Sequence, residues 1–202
     1  VSCTGVILAG GGATRFGGAP KGLAQVGAMR IVDRVAASLR DASDALLLIA
    51  NAPDASSWLR GVATHPDVRP GTGALGGLHA ALTHASTPIL LVAWDMPFVP
   101  SSLLRKLRAR GEAGADAVLP ESDGSRRGVE PLCAWYAPSC LPAIEAALDA
   151  GERRVVAFHH AVRVERLPLD VVTTFGDPGR IFSNVNTPDD LVAAHAVDGR
   201  RE

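Results

Sequence analysis

Short, unbroken apolar runs alternate along the chain with segments whose apolar residues recur at helical spacing. The runs lack in–out alternation, the pattern of strands buried on both faces of a parallel sheet. The first, Thr4–Ala9 (TGVILA), stops abruptly at Gly10, Gly11 and Gly12. A glycine-rich loop reaching about Gly22 leads to a helix over 31–39, where Ile31, Val32, Val35, Ala36 and Leu39 form one stripe. Ala45–Ala50 (ALLLIA) reads as a second strand and 61–64 as a short third, followed by the loop HPDVRPGTG. A helix over 75–82 precedes another apolar strand, 88–93 (PILLVA), which ends at Trp94 and Asp95.

Ser101 or Ser102 is expected to cap the next helix, with Leu103, Leu104 and Leu107 on one face and Gly111 as its stop. Strands follow over 115–119 and 132–136, then a helix over 142–150 and a strand over 162–169. Thr187, Pro188, Asp189 and Asp190 read as a helix start, with a capping Thr, Pro at the first position and acids in the first turn. The alternation predicts an α/β fold: three layers, Rossmann-like, with a mostly parallel sheet covered by helices on both faces. In such sheets ligands bind at the carboxyl ends of the strands, which is where the glycine loop and Asp95 fall.

Composition narrows this further. With 202 residues, 47% hydrophobic, and no repeat or interdomain linker, a single domain is expected. The net charge of −1, with both signs mixed along the chain, argues against nucleic-acid binding, and no apolar run approaches the ~18 residues of a membrane span. The start of the chain lacks the basic segment and apolar core of a secretory signal, so a cytoplasmic location is expected. Cys3, Cys133 and Cys140 are too widely spaced for a zinc or disulfide framework and read as reduced, buried residues. The six histidines, including the adjacent His159 and His160, have no ligand-like spacing and read as surface or second-layer residues.

The chemistry concentrates in LAGGGATRFGGAPK, Leu8 to Lys21. Consecutive glycines let backbone N–H groups approach an anion, and Arg15 and Lys21 can neutralise phosphate oxygens. Only two of the 20 basic residues are lysines, Lys21 and Lys106; codon bias accounts for the scarcity but not for Lys21 standing in this loop. Neither familiar glycine motif fits. A dinucleotide fingerprint meets Arg15 where its third glycine belongs, and a P-loop would need Ser or Thr after Lys21, where Gly22 stands. Asp95, ending a buried strand, suits either Mg²⁺ coordination alongside substrate phosphates or a turn cap. Asp67 reads locally as a turn former. Asn184 and Asn186, on the same side of an extended chain, suit recognition of neutral polar groups, completion of a metal shell, or a plain turn. Arg153 and Arg154 could grip a phosphate or stand exposed at a helix start.

The glycine loop resembles the signature LAGGxSxRMGxxK of the molybdenum cofactor guanylyltransferase type of nucleotidyltransferase, with Leu8, Ala9, Gly10, Gly11, Arg15, Gly17 and Lys21 in register. Ala13, Phe16 and Pro20 depart from it. GALGGL (73–78), WDMPF (94–98), EPLCAWY (130–136), GERRV (151–155) and NVNTPDDL (184–191) resemble further blocks of that family, in the family's order.

The resemblance implies a nucleotide-diphospho-sugar transferase type of fold and a Mg²⁺-dependent transfer of GMP from GTP to the phosphate of molybdopterin, releasing pyrophosphate. It implies catalytic roles for Lys21, Arg15 and Asp95, with Asp95 as metal ligand. Nucleotide contacts would come from Leu8, Ala9, Gly10, Gly11, Gly12, Lys21, Asn51, Asp67 and Asp95, and acceptor contacts from Arg153, Arg154, Asn184 and Asn186. One domain over 1–202 is implied, about 1–100 binding nucleotide and about 101–202 the acceptor. GTP and molybdopterin, or the molybdenum cofactor, are the expected small-molecule partners. Other cofactor-biosynthesis proteins or recipient molybdoenzymes are the candidate protein partners of an expected monomer. A cytidylyltransferase for the same cofactor, a sugar-phosphate nucleotidyltransferase and an inactive nucleotide-binding regulator are the competing readings.

Overall fold

The computed structural model describes residues 2–10 and 20–198. Its strands are β1 (Thr4–Ala9), β2 (Gln25–Val26), β3 (Met29–Arg30), β4 (Ala45–Ala50), β5 (Ala63–His65), β6 (Ile89–Ala93), β7 (Ala117–Pro120), β8 (Cys133–Tyr136) and β9 (Val164–Leu167). Its helices are α1 (Ile31–Arg40), α2 (Gly73–Ala85), α3 (Ser101–Glu112), α4 (Leu141–Asp149), α5 (Leu169–Thr173), α6 (Pro178–Ile181) and α7 (Pro188–Asp198). Among the described residues a seven-stranded sheet runs in the order β5-β4-β1-β6-β8-β7-β9, and β2 and β3 form a small hairpin outside it.

The expected three-layer α/β fold is present, because the runs read as doubly buried strands are buried on both faces. In β1 all six residues are buried, and neighbours diverge. Ile7 and Ala9 pack with Val32, Val35, Ala36 and Leu39 of α1 and the leucines of α3. Val6 and Leu8 pack on the opposite side with Leu75, Leu78 and Leu82 of α2 and Ile144 and Leu148 of α4. Each such side chain withdrawn from water contributes about 1.5–3 kcal/mol, so both faces must be covered. The pairings β1–β4, β1–β6, β4–β5 and β7–β9 are parallel, while β8 runs antiparallel to both β6 and β7. That one reversed strand turns its N-terminal end toward the carboxyl ends of β1, β4 and β6.

Three local expectations are corrected. Ser101 does not cap α3: Pro100 holds the cap position without a side-chain bond, and the Ser101 hydroxyl accepts from Arg105 Nη1 at 3.2 Å. Gly111 does not stop α3 but lies within it, where the Trp135 ring leaves only 2.1 Å to an added Cβ. Residues 152–154 are irregular, between turns at 151 and 155–158, and form no helix start. The β2–β3 hairpin, α5 and α6 carry too few residues to leave a periodic signal. No helix among the described residues is long and apolar enough to cross a membrane.

Candidate functional site

The chain crosses from one side of β1 to the other between β5 and β6: β4 and β5 are laid down on one flank, β6 on the other. The helices following β1 and β5 pack on opposite faces of the sheet, opening a crevice between the carboxyl ends of β1 and β6. A pocket of about 540 Å³ occupies it. Its walls come from Leu8 and Ala9 at the end of β1 with Gly10 just past it, Asn51 after β4, Asp67 beyond β5, and Ala93 at the end of β6 with Trp94 and Asp95 just past it. The first turn of α2 (Gly73, Ala74) closes one side, and Leu132, Asn184 and Asn186 close another.

Three of the residues singled out from sequence meet at one point. Lys21 Nζ donates to Asp95 Oδ2 at 2.5 Å and to Asn186 Oδ1 at 2.6 Å. The lysine and aspartate side chains are only 14% and 12% exposed, so their charges face each other with little water between them. Local backbone bonds set this geometry. Trp94 N donates to Leu8 O at 3.2 Å, tying the end of β6 to β1, and Val185 N donates to Asp95 O at 2.9 Å, drawing the NVNTP segment onto the same strand end. Asp190 Oδ2 accepts from Asn186 N (2.9 Å) and Thr187 N (2.8 Å), while the Thr187 hydroxyl accepts from Asp190 N (3.2 Å). This reciprocal box is the capping predicted for α7, and it also fixes the backbone of Asn186. Burial pushes the Asp190 carboxyl up, but those hydrogen bonds outweigh it and hold the group below the usual range.

Across the pocket Asn51 and Asp67 hold one another: Asn51 Nδ2 donates to Asp67 Oδ2, and Asp67 N donates to Asn51 Oδ1, both at 2.8 Å. The pair leaves the second carboxylate oxygen of Asp67 for a hydroxyl or N–H donor. Asp67 therefore lines the pocket while paired with Asn51. Asn184 lines the pocket along with Asn186. Arg153 and Arg154 are exposed and do not line it; Arg154 pairs with Glu152 at 3.1 Å, and Arg153 offers its carbonyl to Leu75 N at 3.4 Å. Gly11, Gly12 and Arg15 lie outside the described residues. Leu132 and the first turn of α2 had no predicted role in the wall. Leu132 directly precedes the reversed strand β8, whose direction an apolar run of four residues cannot reveal. In the turn before β8, burial pushes the Glu130 carboxyl above its usual range against the opposing effect of a Ser122 hydrogen bond. No cluster of three or more His, Cys, Asp or Glu suited to a metal ion occurs among the described residues.

The sequence model of a family described as the MobA-like NTP transferase domain matches residues 5–164. The chain belongs to this family. A probable molybdenum cofactor guanylyltransferase of Pelotomaculum thermopropionicum is 36% identical over 198 residues, covering 98% of this chain and 94% of that protein. The molybdenum cofactor guanylyltransferase of Desulfosudis oleivorans is 33% identical, covering 96% and 95%. Among solved structures, molybdopterin-guanine dinucleotide biosynthesis protein A from Archaeoglobus fulgidus superposes with a TM-score of 0.82 at 27% identity, over 98% of this chain and 99% of that one. A 2-C-methyl-D-erythritol 4-phosphate cytidylyltransferase from Thermus thermophilus, at 18% identity and a TM-score of 0.68, shares the nucleotidyltransferase fold. The candidate site of this MobA-like chain lies in the crevice between the carboxyl ends of β1 and β6.

Proposed function

We propose that this chain transfers GMP from GTP to the phosphate of molybdopterin, with or without bound molybdenum. The observation that carries the reading is the convergence of Lys21 and Asn186 on Asp95 beside a pocket of about 540 Å³. The guanylyltransferase names of relatives similar over nearly their whole length favour GTP and this acceptor over the cytidylyl and sugar-phosphate alternatives.

An acceptor phosphate oxygen attacks the α-phosphorus of GTP; the new P–O bond forms as the α–β bond breaks, and pyrophosphate leaves with the electron pair. The attacking oxygen is already ionised, so no side chain needs to act as a general base. Positioning and charge neutralisation carry the chemistry. Lys21 and Arg15 offset charge on the departing pyrophosphate, and the amides of Gly10, Gly11 and Gly12 cradle it. Backbone at Leu8, Ala9 and Gly10, with Asn51 and Asp67, reads the base and ribose. The share of the chain near 101–202 supplies the acceptor side: Asn184 and Asn186 meet the pterin through neutral amide contacts, and Arg153 and Arg154 meet its phosphate from outside the pocket.

The residues present fit Mg²⁺. A carboxylate oxygen of Asp95 and an amide oxygen of Asn186 already converge on one cation, the Lys21 ammonium, and Mg²⁺ favours one or two carboxylates completed by phosphates and water. Asp95 would hold the ion, which supplies neutralisation of the triphosphate charge. The cytoplasm is the proposed setting, in keeping with three free, buried thiols, and the chain is proposed to act as a monomer on its small-molecule substrates before other cofactor-biosynthesis proteins or recipient molybdoenzymes take the product. Incubation with GTP, Mg²⁺ and molybdopterin should release pyrophosphate, with CTP in parallel giving little. Equal or faster release from CTP would overturn the guanylyl reading.

A further inference from the structure

Trp94 lies between the last residue of β6 and Asp95. Its side chain is 3% exposed and stacks on Trp58, with ring centroids 5.2 Å apart and planes 17° from parallel. The six-membered half of the indole fills the space where Gly22 would carry a Cβ: an added carbon would stand 2.2 Å from Cε3, 2.7 Å from Cδ2 and 2.9 Å from Cζ3. Gly22 is buried and follows Lys21 in a single 3-10 turn, closed by Leu23 N donating to Pro20 O (3.0 Å) and Ala24 N to Lys21 O (3.1 Å). Two consecutive residues thus engage two consecutive residues: the Trp94 ring seats the backbone of Gly22 while the Asp95 carboxylate takes the ammonium of Lys21.

A lysine side chain has four rotatable carbons, and holding its ammonium at one point costs rotamer entropy. The cost falls when the Cα is already placed. The ring does that without touching the ammonium, because the only residue type that allows the turn to lie this close to it is glycine. Stacking on Trp58 fixes the ring in turn, and Trp58 Nε1 donates to Asp54 Oδ2 at 3.0 Å, which fixes that partner.

We infer that Trp94 is a positioning residue for Lys21, acting through contact with Gly22 to set the ammonium against Asp95 and Asn186. This rests on the reading of Lys21 as the cation that faces the nucleotide phosphates. A double-mutant cycle tests it, read both in turnover and in GTP affinity by calorimetry. Gly22→Ala drives the turn off the ring and should lower kcat at least 10-fold and weaken GTP binding severalfold. In a Lys21→Met background the same change should cost less than twofold in either quantity, because there is no ammonium left to misplace. Trp94→Phe removes part of the ring system that blocks the alanine, so the Gly22→Ala/Trp94→Phe protein should recover at least threefold in kcat over Gly22→Ala.

Equal losses from Gly22→Ala with and without Lys21, or no recovery in the Phe double variant, would overturn the inference and leave a purely structural contact. Should Gly22→Ala not fold, the cycle of Trp94→Phe with Lys21→Met decides by the same criterion. A Lys21→Met protein with unchanged turnover and GTP affinity is a different result: it removes the phosphate-facing role of Lys21 itself.

Discussion

Lys21 and Lys106 are the two lysines of the chain, and their surroundings separate them. Lys106 lies exposed on α3, whereas Lys21 is drawn into contact with a carboxylate and an amide oxygen. The glycine loop made Lys21 conspicuous from sequence, and Asp95 was conspicuous as a polar residue ending an apolar strand. Their meeting was not legible, because 74 positions separate them and no local pattern encodes the contact. Replacing Asp95 by Asn preserves shape and removes the charge. We expect turnover to fall by about 10²-fold or more, on the scale of one lost preorganised charge contact, with the saturable dependence on Mg²⁺ lost. A Mg²⁺ titration indistinguishable from wild type would refute its role as ligand. A second residue sets a pH dependence. His159 was expected at the surface or in a second layer and is half-buried, edge-on to Phe158 at 4.9 Å; burial first, then the charges of Arg127 and Arg166, push its imidazole down to about 4 from an ordinary 6.5. The folded state therefore holds it neutral while the unfolded chain takes up a proton. Its contribution to stability is complete above about pH 6.5 and is lost as the pH falls toward 4. Melting temperatures measured across that window should decline, and His159→Phe should flatten the decline.

At the scale of elements, legibility follows length and periodicity. The stripe read for 31–39 is the buried face of α1, since five apolar residues at helical spacing admit one amphipathic solution. Gly111 was misread because a glycine near a helix end has two uses, stopping the helix or admitting a neighbour, and only the position of Trp135 distinguishes them. The start of α7 was legible as a capping sequence, but its second use was not. The same Asp190 that caps the helix fixes Asn186, 165 positions from the lysine it touches. Val185, between the two asparagines, is buried with Val26, Ile31, Phe98 and Ala194, which anchors the segment. Asp190→Ala frees two backbone N–H groups and should cost about 1–2 kcal/mol, the range of a lost cap. For a chain of this size that corresponds to a melting point lower by about 2–8 °C. Turnover should fall along with it, since Asn186 loses its hold, and the GTP titration should show whether binding weakens in step. A normal melting point with normal turnover would remove this element from the site.

For the whole molecule, the strand order is what assembles the pocket. Placing β6 on the far side of β1 from β4 brings Gly10, Asn51, Asp67 and Asp95 to one edge, although they span most of the first half of the chain. The second half enters the same pocket through Leu132, Asn184 and Asn186. A ligand held by all these segments should stabilise the folded state as a unit. At a GTP concentration of 100 times its dissociation constant the gain is about 2.7 kcal/mol. Thermal melts should then rise by about 5–10 °C at the slope for a chain of this length. CTP at the same concentration should give a smaller rise; an equal or larger one would count against guanine selection.

The sequence by itself determined the α/β class, the strands and helices long enough to show a period, and the short list of polar residues at strand ends and in the glycine loop. It could do so because hydrophobic burial and backbone conformation are imposed residue by residue, and both leave a local trace. Only the tertiary structure decided that β8 runs backward, that Asn51 and Asp67 hold each other, and that Lys21 meets Asp95 and Asn186. Those arrangements depend on contacts between distant segments, and such contacts are set by how the helices cover the two faces of the sheet rather than by any stretch of neighbouring residues.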